Sequence, residues 1–467
     1  MASFGRRKIV VDYGFVDASN VVEVLGAALP IHNLNSAECE HLYEVYRGRQ
    51  SVLNRRKQIR PEINNKLLVN HANEIVSFKV SYLLSEPIAY IARGAGATSE
   101  NVTMLNEMMY LNGKAARDKE IADDFTICGQ AYRMTLPNKA FGAPDEPPFN
   151  VYTLDPRSTF VVYSSEIGER PLCGVKKINR RDATRHGSEQ TVYCVYTANR
   201  YFEIEKGVIV RNEQHALGMI PIVEYVNNNA RIGAFEVVET LLDAINTLAS
   251  NRVDATEQAV QALTVFYNCD ISTEGYEELK RKGALKIKSV EGTQSKVEML
   301  TMDFNQADQQ VLVDWLYEEV LRITGMPSRS SGETSDSSNN GATIVRNGWF
   351  NAEARAKDTE DLWRESEGHF LKLVLKICRE VAGLDLKLSE VTPKFTRRNY
   401  EDLQVRSQVL TTMLNNPMIA PELAFAHCGM FVDSEEAYQK SMDWYTQHRD
   451  ATAAQTESAQ LAEKRVE

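Results

Sequence analysis

No stretch of this 467-residue sequence approaches the about 18 to 20 uninterrupted apolar residues of a membrane-spanning helix, and its N-terminal residues lack a signal-peptide pattern. The expectation is a protein made in the cytosol and kept there. CxxC pairs are lacking as well. The seven cysteines are odd in number and scattered (Cys39, Cys128, Cys173, Cys194, Cys269, Cys378, Cys428), which points to buried free thiols rather than a disulfide framework. Cys39-Glu40-His41 and His427-Cys428 place possible metal ligands side by side, yet no second pair at zinc-site spacing completes either, and no metal is expected. Positive charge is short too: 53 Lys and Arg face 64 Asp and Glu, for a net charge of −11. Tight nucleic-acid binding needs clustered cations to displace phosphate counterions. The balance argues against such a surface, but not against a protein that DNA passes without sticking.

Catalytic signatures are missing in the same way. "GAGATSE" at 94 to 100 starts like a dinucleotide fingerprint but lacks its third glycine, and Gly113-Lys114-Ala115 lacks both the upstream glycine and the Ser or Thr of a phosphate-binding loop. There is no Gly-x-Ser-x-Gly elbow. Nothing in the residues calls for an enzyme or a cofactor.

What is present is patterned helix, a block of short strands and one long polar loop. Residues 34–125 read mainly as helix, with Leu67, Leu68, Ile75, Phe78, Val80 and Leu83 near a helical period, a turn to strand after Pro87 and a second helix over 101–129. From 131 to 226, alternating runs such as "STFVVY" and "TVYCVY" between turn residues predict an antiparallel meander. Residues 231–263 read as one helix of about 45 Å. One stripe of it is apolar; another holds Glu236, Glu239, Asp243, Ser250, Asp254 and Glu257 and reads either as a solvated face or as a pore lining. A small strand, helix, strand module at 264–304 follows. Its Lys280, Arg281, Lys282, Lys286 and Lys288 lie among as many acids, as a mixed solvated face or a partner surface. A helix at 307–324, a long helix of about 60 Å at 342–382 and further helices at 399–448, broken at Asn416-Pro417, complete the pattern, with a frayed tail beyond. The fold class is α+β, mainly helical.

Between the 307–324 and 342–382 helices lies a run of serine, glycine and asparagine. It holds six serines between Ser328 and Ser338, Asn339 and Asn340, and only Arg329, Glu333 and Asp336 as charges. Helix connections usually take about two to eight residues, and longer ones are functional or disordered.

Three segments carry a likeness to a known family: "VNHANEIVSFKVSYLLSEPIAY", "LDPRSTFVVYSSEIGERPLCGVKK" and "ITGMPSRSSGETSDSSNNGATIVRNGWF". In that order, over most of 45–382, they resemble the portal proteins of tailed bacteriophages, of the type found in long-tailed phages of Gram-positive hosts. Asn340-Gly341-Ala342 departs from the family's usual Ser-Gly step. The resemblance implies a wing (1–232 and 342–395), stem helices (233–263 and 305–325), a clip (264–304), a tunnel loop (326–341), a crown (396–450) and a flexible tail (451–467). It implies a ring, typically of twelve subunits, at one capsid vertex of the virion, assembled in the host cytoplasm. Ser328, Arg329, Ser330, Ser331, Glu333, Asp336, Asn339 and Asn340 would then face DNA. The acids Glu236, Glu239, Asp243, Asp254 and Glu257 would repel it from the stem, and the clip cations would meet the terminase large subunit and later a head-completion connector. Major capsid and scaffolding proteins are the other implied partners, with double-stranded DNA passing weakly bound. On the residues alone, a cytosolic helical scaffold or adaptor with the serine run as a linker stays open. Size separates the two, since a ring sediments far faster than a monomer or dimer.

Overall fold

The computed structural model describes residues 5–58, 60–93, 99–181, 189–260, 263–267, 269–270, 288–289, 296–300, 306–328, 348–397, 403–431 and 434–463. It is an α+β fold, mainly helical, in two compact units. Residues 1–43, 73–237 and 324–467 form the first; 44–72 and 238–323 form the second.

The helices are α1 (Val21–Tyr46), α2 (His71–Leu83), α3 (Ser99–Leu111), α4 (Lys114–Cys128), α5 (Glu239–Val260), α6 (Gln306–Thr324), α7 (Trp349–Ile377), α8 (Leu403–Leu414), α9 (Pro421–His427) and α10 (Ser434–Glu463). The helix read over 101–129 is thus two, broken at Gly113. Helix α10 runs on through Glu463 where the sequence predicts a frayed tail; "ATAAQTESAQLAE" is rich in strong helix formers.

In the first unit the predicted meander is real but divides into two sheets. A six-stranded sheet runs in the order β1 (Ile9–Val11), β5 (Thr159–Ser164), β6 (Pro171–Arg181), β7 (Glu189–Tyr196), β8 (Arg200–Glu205) and β9 (Val208–Gln214). A three-stranded sheet sets β3 (Gln130–Pro137) between β10 (Ile222–Val226) and β4 (Phe149–Leu154). Strand β5 shows why both faces are covered. Successive side chains alternate sides, so Phe160 and Val162 join Val21, Val24 and Leu25 of α1 in one core. Val161 turns the other way, to Tyr132, Met134 and Ile222 of the smaller sheet. The edge partner β1 pairs parallel to β5, Ile9 opposite Val162, an element that no sequence pattern announced. A third core gathers Leu105 and Met109 of α3 with Phe370, Leu371 and Val374 of α7, closed by a ladder of β2 (Ala89–Ala92) and β15 (Val391–Lys394).

The long helix predicted over 231–263 begins only at Glu239. Asn228 accepts from the backbone N–H of Ile232 through Oδ1 at 3.0 Å, and Asn227 and Asn228 both donate to the Ile232 carbonyl. Asparagine side chains that satisfy the backbone locally compete with the helix ladder.

In the second unit, α5 is the support. Beyond the helix the unit holds two antiparallel ladders, β11 (Leu263–Tyr267) with β14 (Lys296–Leu300) and β12 (Cys269–Asp270) with β13 (Lys288–Ser289). The helix read within this module, "EGYEELKRK", lies outside the described residues.

Candidate functional site

The ends of the serine-rich run lie together. Helix α6 stops at Thr324, and Gly325 turns the chain with φ +72°, a left-handed conformation that costs a residue with a Cβ about 1–2 kcal/mol. Met326, Pro327 and Ser328 follow, and the chain is described again at Gly348, the residue before α7. A Cβ placed on Gly348 would lie 3.8 Å from the Cα of Pro327. The intervening run therefore leaves and returns at one point, as a loop does and a spacer between separated bodies does not. Of the residues expected to face DNA, Ser328 is partly buried at this root. Arg329, Ser330, Ser331, Glu333, Asp336, Asn339 and Asn340 lie outside the described residues, as do positions 342–347 of the expected long helix.

The return point is firmly held. Trp349 packs against Phe78 and Tyr82 of α2, with ring centroids 6.1 and 5.9 Å away, and the Tyr82 hydroxyl donates to Glu353 at 2.9 Å. Arg397 clamps the same face of α7 through Glu353 (2.9 Å) and Glu360.

Two turns further, Glu367 enters a buried network of four charges. Its Oε1 lies 2.9 Å from Lys114 Nζ and its Oε2 lies 3.1 Å from Arg133 Nη1. Asp118 takes the other side, 2.7 Å from Lys114 Nζ and bonded to Arg133 Nη2. The hydroxyls of Tyr90 and Tyr225 and the indole N–H of Trp363 also donate to Glu367. Two cations and two anions balance. Burial alone would raise the Glu367 carboxyl, but Lys114, Arg133 and the Tyr90 hydroxyl outweigh it and hold it below the usual carboxylate range. Lys114, whose Gly-Lys step lacks the other marks of a phosphate loop, thus has its charge matched inside the core.

The acidic stripe is not a continuous solvent-facing band. Glu236 is 6% exposed, before the helix, where it accepts from Arg6 at 2.6 Å and from the backbone N–H groups of Gly5 and Gly233. Asp254 is 3% exposed and meets Arg55 at 2.8 Å and Lys57 at 3.0 Å. The reason is a match of repeats. Backbone N–H groups of Asn65, Leu67 and Val69 donate to Asp254 (2.7 Å), Ser250 (3.0 Å) and Asn246 (2.8 Å). Two extended residues span about 6.6 Å and four helical residues about 6 Å, so each second amide meets each fourth side chain. Ser250 and Asp254 form a docking strip for residues 65–69. Glu239 and Asp243 are partly buried and Glu257 is exposed, with Asp243 accepting from Ser51 at 2.7 Å. Of the five acids expected to line the stem, Glu236 and Asp254 are thus buried against cations, and Glu239, Asp243 and Glu257 keep some exposure.

Residues 27–454 match a family model described as "Phage portal protein, SPP1 Gp6-like". The chain belongs to this phage portal protein family. A solved structure described as "Neck of empty GTA particle computed with C6 symmetry" is similar at 13% identity, covering 77% of this chain and 90% of that one with a TM-score of 0.43. No curated protein matches.

In this portal protein the expected clip cations Lys280, Arg281, Lys282 and Lys286 lie outside the described residues, and Lys288 is placed only as a residue of β13. Among the described residues no three His, Cys, Asp or Glu side chains gather as a metal site would need, and no helix is long and apolar enough to cross a membrane. Cys39 is buried with the Cys128 thiol 3.9 Å from its carbonyl, and Cys428 is buried at the end of α9. Sequence reasoning missed the Glu367 network and the 65–69 strip. Lys114 and Asp118 stand one helical turn apart, which was the available signal for the first; the strip left none.

Proposed function

We propose that copies of this portal protein close into a ring, typically of twelve, at one capsid vertex, and that DNA passes through its centre during packaging and ejection. The observation that carries this reading is the loop root. A run rich in hydroxyls and amides leaves and returns at Pro327 and Gly348 directly after α6, suited to weak contacts that form and break against a moving phosphate backbone. The reading assigns 326–341 to the tunnel loop, 233–263 and 305–325 to the stem, 264–304 to the clip, 1–232 and 342–395 to the wing and 396–450 to the crown. Ring closure is supported by α6, where Val311, Leu312 and Trp315 are 69, 43 and 56% exposed and offer apolar surface to a neighbouring copy. The net charge of −11 supports a conduit that does not retain DNA, since each phosphate paired with Lys or Arg adds counterion-release free energy that transport must undo. Terminase would dock on the clip cations, supply ATP hydrolysis, and give way to a head-completion connector; capsid and scaffolding proteins would hold the outer face.

Deleting 328–340 tests the reading. Rings should form and stay intact in electron micrographs while packaging of DNA into heads is lost. Normal packaging by the deletion would remove the tunnel-loop role, and a purified chain that stays monomeric under all assembly conditions would remove the ring.

A further inference from the structure

Beside the loop root two cations, the partly buried Lys79 and the exposed Arg355, have no acidic partner among the described residues. Lys79 of α2 lies partly buried in a pocket it shares with Tyr82, Phe125, Thr126, Asn227 and Arg355. Arg355, from the second turn of α7, lays its stem over Gly325, where a Cβ would come 2.3 Å from its Cδ. Several other buried or partly buried cations in this unit have acids: Arg6 has Glu38 and Glu236, Arg133 has Asp118 and Glu367, Arg231 has Glu224, and Arg397 has Glu353 and Glu360. Lys79 and Arg355 have no acidic partner among the described residues, and no described residue lining the pocket is acidic. The chain does not lack acids, with 64 against 53 basic residues. Glu353 and Glu360 on the same helix are already committed to Arg397. Burial, with the charge of Arg355 added, lowers the Lys79 ammonium to about 8, the direction expected of a cation that an anion would relieve.

We propose that the Lys79–Arg355 pocket binds a small phosphate-class oxyanion. An ammonium offers a mobile point charge with three donors, and a guanidinium offers a planar fork; together they suit a tetrahedral oxyanion. The free interior, about 40 Å³, fits a small group and not a bulky one. The anion would neutralise two like charges at the point where the loop leaves and α7 starts. The site stands independently of the channel reading. Its ligand chemistry is met by free phosphate or by a phosphodiester of DNA, and the narrow interior favours the first.

The test is thermal unfolding of the full chain in rising sodium phosphate, against sodium chloride at equal ionic strength and constant pH. Wild type should show a saturating rise in Tm of about 2 °C or more, because a ligand that binds only the folded state stabilises it by mass action. Lys79→Met and Arg355→Gln should lose that rise, Lys79→Arg should keep it, and calorimetric phosphate affinity should fall about tenfold or more in the first two. In phosphate-free buffer Lys79→Met should unfold at or above the wild-type Tm, which distinguishes loss of a site from loss of a fold. A short DNA duplex that displaces phosphate from wild type but has no effect on Lys79→Met would identify the phosphodiester as the source; no displacement would identify the free anion. No phosphate-specific rise in wild type, or the same rise in Lys79→Met and Arg355→Gln, overturns the proposal. Ring formation by those variants keeps the result separate from the fate of the channel reading.

Discussion

At the scale of single residues, the most deeply buried charges of this protein are answered by opposite ones. Glu367 is the clearest case, since it is wholly buried and faces both Lys114 and Arg133. Removing one member of a buried ion network leaves an uncompensated charge, which costs about 3–5 kcal/mol. Glu367→Gln should therefore lower stability by about that amount in urea unfolding followed by near-ultraviolet dichroism. Asp124 answers to the opposite logic. It accepts from the Tyr43 hydroxyl, yet burial, and then Asp155, Asp123 and Glu120 nearby, push its carboxyl up to about 7 despite that bond. A carboxyl with a raised folded pKa contributes stability below its unfolded value near 4, and that contribution is lost as pH rises through 7. Asp124→Asn keeps the acceptor and removes the charge. It should match wild type below about pH 4 and exceed it increasingly up to pH 8.5, there by about 1 kcal/mol or more, read from unfolding curves across that range.

Among the elements, α5 carries the sharpest expectation. Burial alone would raise the Asp254 carboxyl, but the Asn65 amide, Lys57 and Arg55 outweigh it and hold it at about 2. Its contribution is present above pH 4 and lost as pH falls toward 2. Asp254→Ala should release residues 65–69, raising hydrogen exchange at the Asn65, Leu67 and Val69 amides, and should cost about 1.5–3 kcal/mol as charged hydrogen bonds are removed. Unchanged exchange would mean that Ser250 and Asn246 hold the segment alone. This element also shows where the sequence was readable. Periodicity located α6 to within a residue, and it found the body of α5 and of α7, where a stripe such as Trp363, Phe370 and Val374 faces the core. It failed at 231–238, because Asn227 and Asn228 near the expected helix start bond the nearby backbone at Ile232. It also could not tell a polar stripe that binds backbone from one that faces water: both place Ser and Asp four residues apart, and only the distant partner separates them. Ser328 could be named from sequence as a loop residue, but the return was expected at Ala342 rather than Gly348, and the nearness of Pro327 to Gly348 was not legible.

At the scale of the whole molecule, the exposed apolar face of α6 is the feature that a lone subunit does not explain. Trp315→Asp alters an exposed position, where substitutions usually change folding stability by about 0.5 kcal/mol or less. The variant should fold but sediment as a single subunit while wild type forms the large species, measured by analytical ultracentrifugation. The composite first unit has a further outcome for biosynthesis. Arg133 and Glu367 are separated by 234 residues, and a ribosome adding about 5–20 residues per second needs roughly 10–50 s to cover that distance. For that time the nascent first unit holds two cations opposed by Asp118 alone. Closure of the network therefore comes late in synthesis, and a chain truncated ahead of Glu367 would leave Lys114 and Arg133 with half of their neutralising charge.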